Sequence, residues 1–225
     1  MRVCFVSRGG IGEFMKNAAA IEAPADLYLC GFQSLGEVSY ERELNGETRY
    51  FEKVAALSAS LRSVVVCGCV TDAKGFKRKS AVVAERGKIL GVSDMTNVLD
   101  GEVGSGAALR VYETAVGRLG VIVAEDLFFP EVAKALSACG SDFLVCPYTA
   151  VSGSVESVLI RAHAFCYGTP VFFCGVGYAS VAAADGTVAF ASPESPCELS
   201  FQGVKEYHLV ETRRRGFYKP PKKDF

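Results

Sequence analysis

The feature that constrains the fold most is the alternation of apolar, strand-like runs with segments of helical period. The runs "RVCFVS" (2–7), "DLYLCGF" (26–32) and 64–70 are separated by helical patterns around 14–21 and 51–61. This order, β-α-β-α-β, is typical of a sheet whose parallel strands are joined by helices. Because the runs are apolar throughout, both faces of the sheet are expected to be covered.

The second half of the chain repeats this alternation. The runs "DFLVCPY" (142–148) and "PVFFCGV" (170–176) are predicted to be buried strands. A helix is predicted to begin at Pro130, and another is predicted where apolar residues recur at helical spacing. The members of that second apolar face are Val155, Val158, Leu159, Ala162 and Phe165.

Hairpin signals interrupt the parallel pattern. Arg86-Gly87 predicts one turn between two strands, and Asp185-Gly186 predicts a second turn, of type I′. Hairpins among buried strands indicate mixed sheets. About eleven strands and four helices therefore predict an α/β fold, a four-layer α-β-β-α sandwich of two mixed sheets. With no linker in view, residues 1–212 are predicted to form a single domain, with a last strand at 206–210 and a basic tail at 213–225.

Composition excludes several classes of function. The formal net charge is −1, so no overall electrostatic attraction to nucleic acid or to an anionic membrane is expected. The basic tail is interpreted as a solvated segment or a dimer contact rather than as a nucleic-acid site. The apolar runs are shorter than a membrane span and no signal-peptide pattern opens the chain, so a cytoplasmic location is expected.

Cysteine and histidine usage gives no sign of a metal or cofactor. The nine cysteines lie mostly in apolar runs, where cysteine behaves as a small hydrophobe, and no Cys-x-x-Cys pair is present. Of the two histidines, His163 is interpreted as a residue on the polar face of its helix, without a partner at metal-ligand spacing. No cofactor, metal site or disulfide is predicted.

The stretch "GRLGVIVAEDLFFPE" (117–131) is the most informative local motif. A buried strand reaches Glu125 and Asp126 and then turns into a helix opened by Pro130. Many α/β enzymes hold a nucleophile at such a bend. Here the residue at the bend is Ala124, whose methyl group cannot react. The spacing of the acidic residues alone does not distinguish an active-site bend from a charged loop.

The longest motifs resemble the nitrilase superfamily, the carbon-nitrogen hydrolases that cleave amides and nitriles. The resemblance is carried by "VYETAVGRLGVIVAEDLFFPEVAKALSACGSDFLVCPYTA" and by "IRAHAFCYGTPVFFCGVGY", with weaker similarity in "SAVVAERGKILGV" and "ADLYLCGF". It implies an α-β-β-α sandwich that pairs two subunits, so that a homodimer or larger homo-oligomer is expected. It also implies an amide-like small molecule as the class of ligand.

The same resemblance implies a catalytic triad of cysteine, glutamate and lysine. These supply the nucleophile, the general base and the cation that stabilises an oxyanion. The cysteine aligns with Ala124 and the lysine with Met95. The glutamate aligns with Phe32, or with Asp26 in an alternative register. All three groups are therefore replaced, which predicts a hydrolase fold without the covalent reaction.

Other residues remain candidates for a pocket. These are Glu125, Asp126, Glu102, Phe128 and Tyr148, with Glu102 matching a second glutamate of the family. Glu125 could act as a base that activates water, although a surface or ion-paired carboxylate is the favoured interpretation.

A displaced thiol is the other possible nucleophile. The candidates near predicted strand ends are Cys30, Cys67, Cys69, Cys146 and Cys174, each interpreted first as a core residue.

Three functions follow from these observations. The first is a catalytically degraded hydrolase that binds a small molecule or a partner, the second is an active hydrolase with a displaced nucleophile or activated water, and the third is a structural subunit paired with an active paralogue. A pocket lined by Glu125, Asp126 and Glu102 would favour ligand binding. One filled by Phe32, Met95 and Phe128 would favour the structural role. The loops at 31–47 and 96–107 are shorter than in the family, which predicts an open or a collapsed site.

Overall fold

The computed structural model describes residues 1–18, 24–99, 103–150 and 154–203. Within these ranges it has thirteen strands, against about eleven predicted. The strands are β1 (Arg2–Val6), β2 (Leu27–Cys30), β3 (Glu37–Ser39), β4 (Val64–Ala73), β5 (Phe76–Glu85), β6 (Lys88–Asp94), β7 (Val111–Thr114), β8 (Gly117–Val121), β9 (Phe143–Ala150), β10 (Val171–Val176), β11 (Tyr178–Ala182), β12 (Val188–Ser192) and β13 (Cys197–Ser200).

Five α-helices accompany the strands in the same ranges. They are α1 (Ile11–Ala18), α2 (Tyr40–Leu44), α3 (Tyr50–Leu61), α4 (Pro130–Ala138) and α5 (Val155–Tyr167). Two short 3₁₀ helices, Phe32–Ser34 and Ala124–Phe128, follow the strands β2 and β8. None of the helices in the described part of the chain is long and apolar enough to cross a membrane.

Each sheet has a core of three parallel strands with antiparallel strands on both sides, and in the first sheet β3 adds a fourth parallel strand beside β4. The first sheet has the order β13-β1-β2-β4-β5-β6, with β3 paired to β4, and its parallel core is β1, β2 and β4. The second sheet has the order β12-β11-β10-β9-β8-β7, with β8, β9 and β10 parallel. Ligand sites of α/β proteins lie beyond the carboxyl ends of parallel strands. Both sheets have such an edge.

Three buried apolar clusters define four layers. The inter-sheet cluster contains Phe5, Val66 and Val83 from the first sheet together with Val121 and Phe172 from the second. A second cluster packs the first sheet against α1 and α3, and a third packs the second sheet against α4 and α5. The predicted α-β-β-α sandwich of two mixed sheets is confirmed.

The hairpin turns differ in type. Arg86 and Gly87 both have positive φ, at 50° and 80°, as a type I′ turn requires. At the second hairpin only Gly186 is left-handed, with φ of 80°, and its N–H donates to the carbonyl of Ala183 at 2.8 Å. The prediction of a type I′ turn at Asp185-Gly186 is therefore wrong. Asp185 instead accepts hydrogen bonds from Thr187, which favours a longer loop.

The apolar face predicted for α5 is also wrong except at Leu159, which is partly buried against the third cluster. The buried residues of this helix are Glu156, Ile160, His163 and Ala164, whereas Val155, Val158 and Phe165 are 52%, 58% and 61% exposed. The helix is rotated relative to the prediction, and an apolar stripe faces outward. The predicted strand at 206–210 and the basic tail at 213–225 lie outside the described residues.

Candidate functional site

Ala124 lies at the bend where the second sheet gives way to the 3₁₀ helix. Ile122 still hydrogen-bonds to β9, through its N–H and the carbonyl of Val145 at 2.9 Å. Two residues later Ala124 turns the chain with φ of +48° and is completely buried. A left-handed backbone costs a residue with a Cβ about 1–2 kcal/mol. The strained bend typical of a nucleophile position is present, but its side chain is a methyl group.

Phe32 occupies the first position of the 3₁₀ helix after β2. Its ring lies against Gly68 of β4, so closely that a Cβ added to Gly68 would lie 2.5 Å from Cδ2 of Phe32. The preceding Gly31 approaches β10 in a similar way, with an added Cβ 3.5 Å from the carbonyl oxygen of Cys174. Gly68 leaves room for the ring of Phe32, whereas Gly31 allows the close approach to β10, and Phe32 is only 7% exposed.

Met95 follows β6 and is held by its backbone. Its N–H donates to the carbonyl of Lys79 at 2.8 Å, and its own carbonyl accepts from Gly106 at 2.6 Å. The thioether side chain is 1% exposed. Met95 is thus a core residue fixed in place between β5 and the segment that ends at Gly106.

The three aligned positions come together in the interior. Phe32, Met95 and Ala124 all belong to the inter-sheet cluster. Asp26, the alternative to Phe32, lies before the opposite end of β2, is exposed and accepts a hydrogen bond from the N–H of Arg2 at 2.7 Å. The position beside the bend is therefore apolar, without a thiol, a carboxylate or an ammonium at the aligned residues.

Asp126 ties the bend to the segment after β6. Its carboxylate accepts from the backbone N–H groups of Thr96 and Asn97, each at 2.8 Å, and from the Thr96 hydroxyl and the Asn97 amide. Burial raises the pKa of Asp126, and these hydrogen bonds oppose the rise. Because these four hydrogen bonds of the Asp126 carboxylate all go to the loop that carries Met95, the carboxylate has a structural role at the site.

Glu125 forms an ion pair, as the favoured interpretation allowed, but its partner Lys79 was not predicted from the sequence. Its Oε1 lies 2.6 Å from Nζ of Lys79 and 3.3 Å from the hydroxyl of Thr149. The two charged side chains are only 16% and 22% exposed. Lys79 shares the inward face of β5 with Ala81 and Val83, so a lysine at an inward position was the available signal. Within the described part of the chain, Oε2 of Glu125 is buried without a hydrogen-bond partner.

Phe128 and Tyr148 lie on the other face of the second sheet. Both contribute to the cluster that packs against α4 and α5, and the ring of Tyr148 lies 5.2 Å from that of Phe173. Burial raises the pKa of Tyr148. These two residues are therefore separated by the sheet from the cluster that contains Ala124. Glu102 lies outside the described residues.

His163 connects the bend to α5. It is 3% exposed, and its Nε2 lies 2.8 Å from the carbonyl of Leu127 in the 3₁₀ helix. Burial lowers its pKa, so the neutral imidazole with a protonated Nε2 fits this contact. The interpretation of His163 as a polar-face residue is wrong, because α5 turns this side of the helix toward the sheet.

The five cysteines considered as displaced nucleophiles are all buried free thiols. Burial raises the pKa of Cys69 to about 12 and raises the pKa values of Cys146 and Cys174 well above the ordinary range. For Cys67 a hydrogen bond with Cys30 is the largest cause of its raised pKa, followed by burial. A thiol that stays protonated at neutral pH is a poor nucleophile. In the described part of the chain no group of three or more potential metal ligands is found.

Comparison with known proteins identifies the family. The carbon-nitrogen hydrolase family matches residues 13–207, and the chain belongs to this family, within the nitrilase superfamily. A protein of Schizosaccharomyces pombe named a probable nitrilase is 26% identical over 129 residues. That alignment covers 53% of this chain and 47% of the relative, so the chain spans about half the length of the curated relative it matches.

Solved structures show the same fold. A variant of the Nesterenkonia AN1 amidase, from the nitrilase superfamily, with its cysteine replaced by alanine has a TM-score of 0.74 at 18% identity, covering 88% of each chain. Another variant of that amidase, with acrylamide added to its active-site cysteine, has a TM-score of 0.77 at 17% identity, covering 96% of this chain and 98% of its own. At these identities the likeness concerns the fold.

Proposed function

We propose that this chain is a carbon-nitrogen hydrolase relative that has lost the covalent reaction and uses its fold to bind a partner. The observation that supports the proposal is the inter-sheet cluster, which contains Phe32, Met95 and Ala124, the three residues that the resemblance aligns with the catalytic glutamate, lysine and cysteine. Without a nucleophile the acyl-enzyme route is absent, and loss of a nucleophile in other hydrolases lowers the rate by about a millionfold. The apolar filling supports the structural role over ligand binding at Ala124.

The test is ammonia release from small amides, nitriles and N-carbamoyl compounds at high protein concentration. The natural protein is compared with a triple variant, Phe32→Glu with Met95→Lys and Ala124→Cys. A matched control carries the first two substitutions with Ala124→Ser. We expect no release by the natural protein or the control. Release by the natural protein would overturn the proposal.

A second candidate function rests on Glu125. Its buried Oε2 has no hydrogen-bond partner in the described part of the chain, so it could accept a proton from an attacking water. Against this, Oε1 is engaged by Lys79 at 2.6 Å. If slow release of ammonia is observed, Glu125→Gln should abolish it while Asp142→Asn, which changes a carboxylate at the amino end of β9, should not.

A small amide-like ligand at Ala124 is a further, untested use of the fold. An alanine-substituted variant of the Nesterenkonia amidase is known in complex with butyramide. A titration of this chain with butyramide, followed by NMR, tests whether the position beside Ala124 accepts such a molecule. We expect no saturable shift, since Phe32 and Met95 occupy the interior beside Ala124.

The proposed partner is a second copy of this chain. Val155, Val158, Ala162 and Phe165 are spaced i, i+3, i+7 and i+10 along α5, which is the spacing of a helix-packing seam, and all four are exposed. A seam of this kind is self-complementary across a two-fold axis. An active paralogue in place of the second copy is the alternative.

Sedimentation of the natural protein and of Val158→Glu tests this partner. The control is Leu44→Glu, which adds the same charge at a leucine that is 86% exposed on α2. We expect the natural protein and the control to be dimeric and Val158→Glu to be monomeric. A monomeric natural protein, or a dimer that survives Val158→Glu, would reject this surface as a homodimer interface.

A further inference from the structure

Two cysteines are direct neighbours on parallel strands of the first sheet. Cys30 is the last residue of β2, and the register of the sheet pairs it with Cys67 of β4. Both side chains belong to the cluster that packs against α1 and α3, so they project from the same face. They are free thiols, 1% and 0% exposed. Neither takes part in the proposed function.

The register places these two thiols close to the geometry of a disulfide. Neighbouring strands are about 4.8 Å apart, and the Cα atoms that a disulfide joins are usually about 4.4–6.8 Å apart. A hydrogen bond already links the side chains of Cys67 and Cys30. The Cβ atoms of a disulfide are about 3.8 Å apart, so they must approach each other slightly. Gly31 follows Cys30 directly, and its conformational freedom lets this end of β2 adjust.

No other two cysteines are paired in the register of the described strands. Cys69 lies two residues beyond Cys67 on the same face of β4, but its partner on β5 is Ser80. It is as fully buried as Cys67. Cys69 is therefore a matched control for the pair, with the same strand and the same burial but without a thiol on the neighbouring strand.

The pair lies directly behind the contact between Phe32 and Gly68. Gly31 alone separates Cys30 from Phe32, and Gly68 is the residue after Cys67. The ring of Phe32 packs over Gly68 on the inter-sheet face, with so little space that an added Cβ would lie 2.5 Å from it. A covalent bond that draws Cys30 toward Cys67 moves the two segments that hold this contact. Because the contact is tight, a small displacement is enough to impair it.

We infer that Cys30 and Cys67 are a redox switch, in which a peroxide oxidises the two thiols to a disulfide and the disulfide loosens the packing of Phe32 over Gly68. A dithiol reverses the reaction by thiol–disulfide exchange. The inference goes beyond the proposed function and does not depend on whether the chain hydrolyses amides.

The oxidation proceeds in two steps. The sulfur of Cys30 attacks one oxygen of hydrogen peroxide, the O–O bond breaks, and a sulfenic acid and one water form, with the thiol proton leaving in the water. The sulfur of Cys67 then attacks the sulfur of Cys30, the S–O bond breaks, and a second water leaves with the proton of Cys67. Two electrons thus pass from the sulfurs to the peroxide. The hydrogen bond that raises the pKa of Cys67 keeps the proton on that residue, which makes Cys30 the sulfur that attacks first.

Cysteine mapping of the folded protein after treatment with hydrogen peroxide tests the disulfide. A background with Cys139→Ser and Cys166→Ser removes the two exposed thiols. The treated protein is alkylated in denaturant, digested and analysed by mass spectrometry. Because both thiols are buried, we expect slow loss of two alkylation sites and a cross-linked peptide that contains Cys30 and Cys67. Dithiothreitol should restore both sites.

The controls separate this pair from general oxidation. Cys67→Ser should abolish the cross-link, whereas Cys69→Ser should retain it. If Cys67→Ser does not fold, the identity of the cross-linked peptide still decides the test, because it is read from the native cysteines. Absence of the cross-link, a cross-link between other cysteines, or one that forms only after unfolding in urea would overturn the inference.

Hydrogen exchange tests the effect of the disulfide on Phe32. In the oxidised protein we expect faster exchange in the segment 31–34 than in the reduced protein, with recovery after dithiothreitol. Peroxide should not change this segment in Cys67→Ser. Unchanged exchange in the cross-linked protein would overturn the switch. The amide panel addresses the proposed function separately, because it measures ammonia release rather than thiol oxidation.

Discussion

The two faces of the second sheet differ in side-chain packing and in charge near the ends of the strands. On the inter-sheet face, Phe32 and Met95 pack in the cluster that contains Ala124, and the nearby charges of Lys79 and Glu125 neutralise each other. On the helix-covered face, the carboxylate of Glu156 lines a cavity of about 460 Å³. We propose that the family's reaction position has become part of the core on the inter-sheet face, whereas open space remains on the helix-covered face.

The largest effect on the free energy of unfolding is expected at Phe32, whose ring fills the interior. Phe32→Ala should lower the free energy of unfolding by about 3–5 kcal/mol, because it removes a buried ring and leaves a cavity over Gly68. Leu44→Ala, at an exposed position, should change it by less than about 0.5 kcal/mol. Urea unfolding measures both. A cost below about 1 kcal/mol for Phe32→Ala would show that the inter-sheet position is not filled.

The ion pair between Lys79 and Glu125 should contribute less to the free energy of unfolding than Phe32 does. Lys79→Met leaves the mostly buried Glu125 carboxylate without its cation, and we expect a loss of about 1–3 kcal/mol. Arg49→Met, which breaks the pair with Glu52 at side chains about 70% exposed, should have nearly no effect. Urea unfolding measures the free energy of unfolding of both variants. Equally small losses would contradict the claim that Lys79 neutralises the charge of Glu125.

The pH dependence of stability tests the contact between His163 of α5 and the carbonyl of Leu127 in the 3₁₀ helix at the bend. Burial lowers the pKa of His163 in the folded protein below its unfolded value of about 6.5, so the unfolded state binds more protons in that window. The contribution of His163 to stability should therefore be complete above pH 6.5 and should fall as the pH decreases toward the folded pKa. His163→Gln keeps an N–H donor for Leu127 and should flatten this dependence. An unchanged slope in thermal melts of that variant would assign the effect to another group.

The smallest effect is expected at the bend. Ala124→Gly relieves a left-handed backbone at φ of +48°, which offsets the entropy lost by introducing glycine. The free energy of unfolding should rise or stay within about 1 kcal/mol. Ala133→Gly, at a buried position of α4, should instead lower it by about 1 kcal/mol. If the two glycine variants are equally destabilised in denaturant titrations, the strain at Ala124 is not stored in the native state.

Much of the fold could be predicted because strand and helix periods are local properties of the sequence. The buried strands β4, β9 and β10 and the start of α4 at Pro130 follow directly from apolar runs and cap chemistry. The short strands β3 and β13 have no such apolar run. They form because they pair with β4 and β1, and these tertiary contacts cannot be recognised from the local sequence.

The site was less predictable because its contacts join distant segments. Lys79 and Glu125 are 46 residues apart, and only the inward position of a lysine on β5 hinted at a partner. On α5, helical spacing alone could not tell which face is buried: two stripes fit, and the buried one contains Glu156 and His163. The ring of Phe32 depends on Gly68 of β4, whose role becomes evident only when the segment after β2 packs against that strand.

The most direct test of the central claim is whether any thiol of the natural protein forms an acyl adduct. The protein is incubated with butyramide, quenched in acid and weighed intact by mass spectrometry, beside the triple variant Phe32→Glu, Met95→Lys and Ala124→Cys. An acyl transfer would release ammonia and leave a butyryl group on sulfur. We predict an unchanged mass for the natural protein, because Ala124 carries no sulfur, burial raises the pKa values of Cys69, Cys146 and Cys174, and the exposed Cys139 and Cys166 lie outside the inter-sheet cluster. A butyryl adduct on a cysteine of the natural protein would contradict the loss of covalent catalysis.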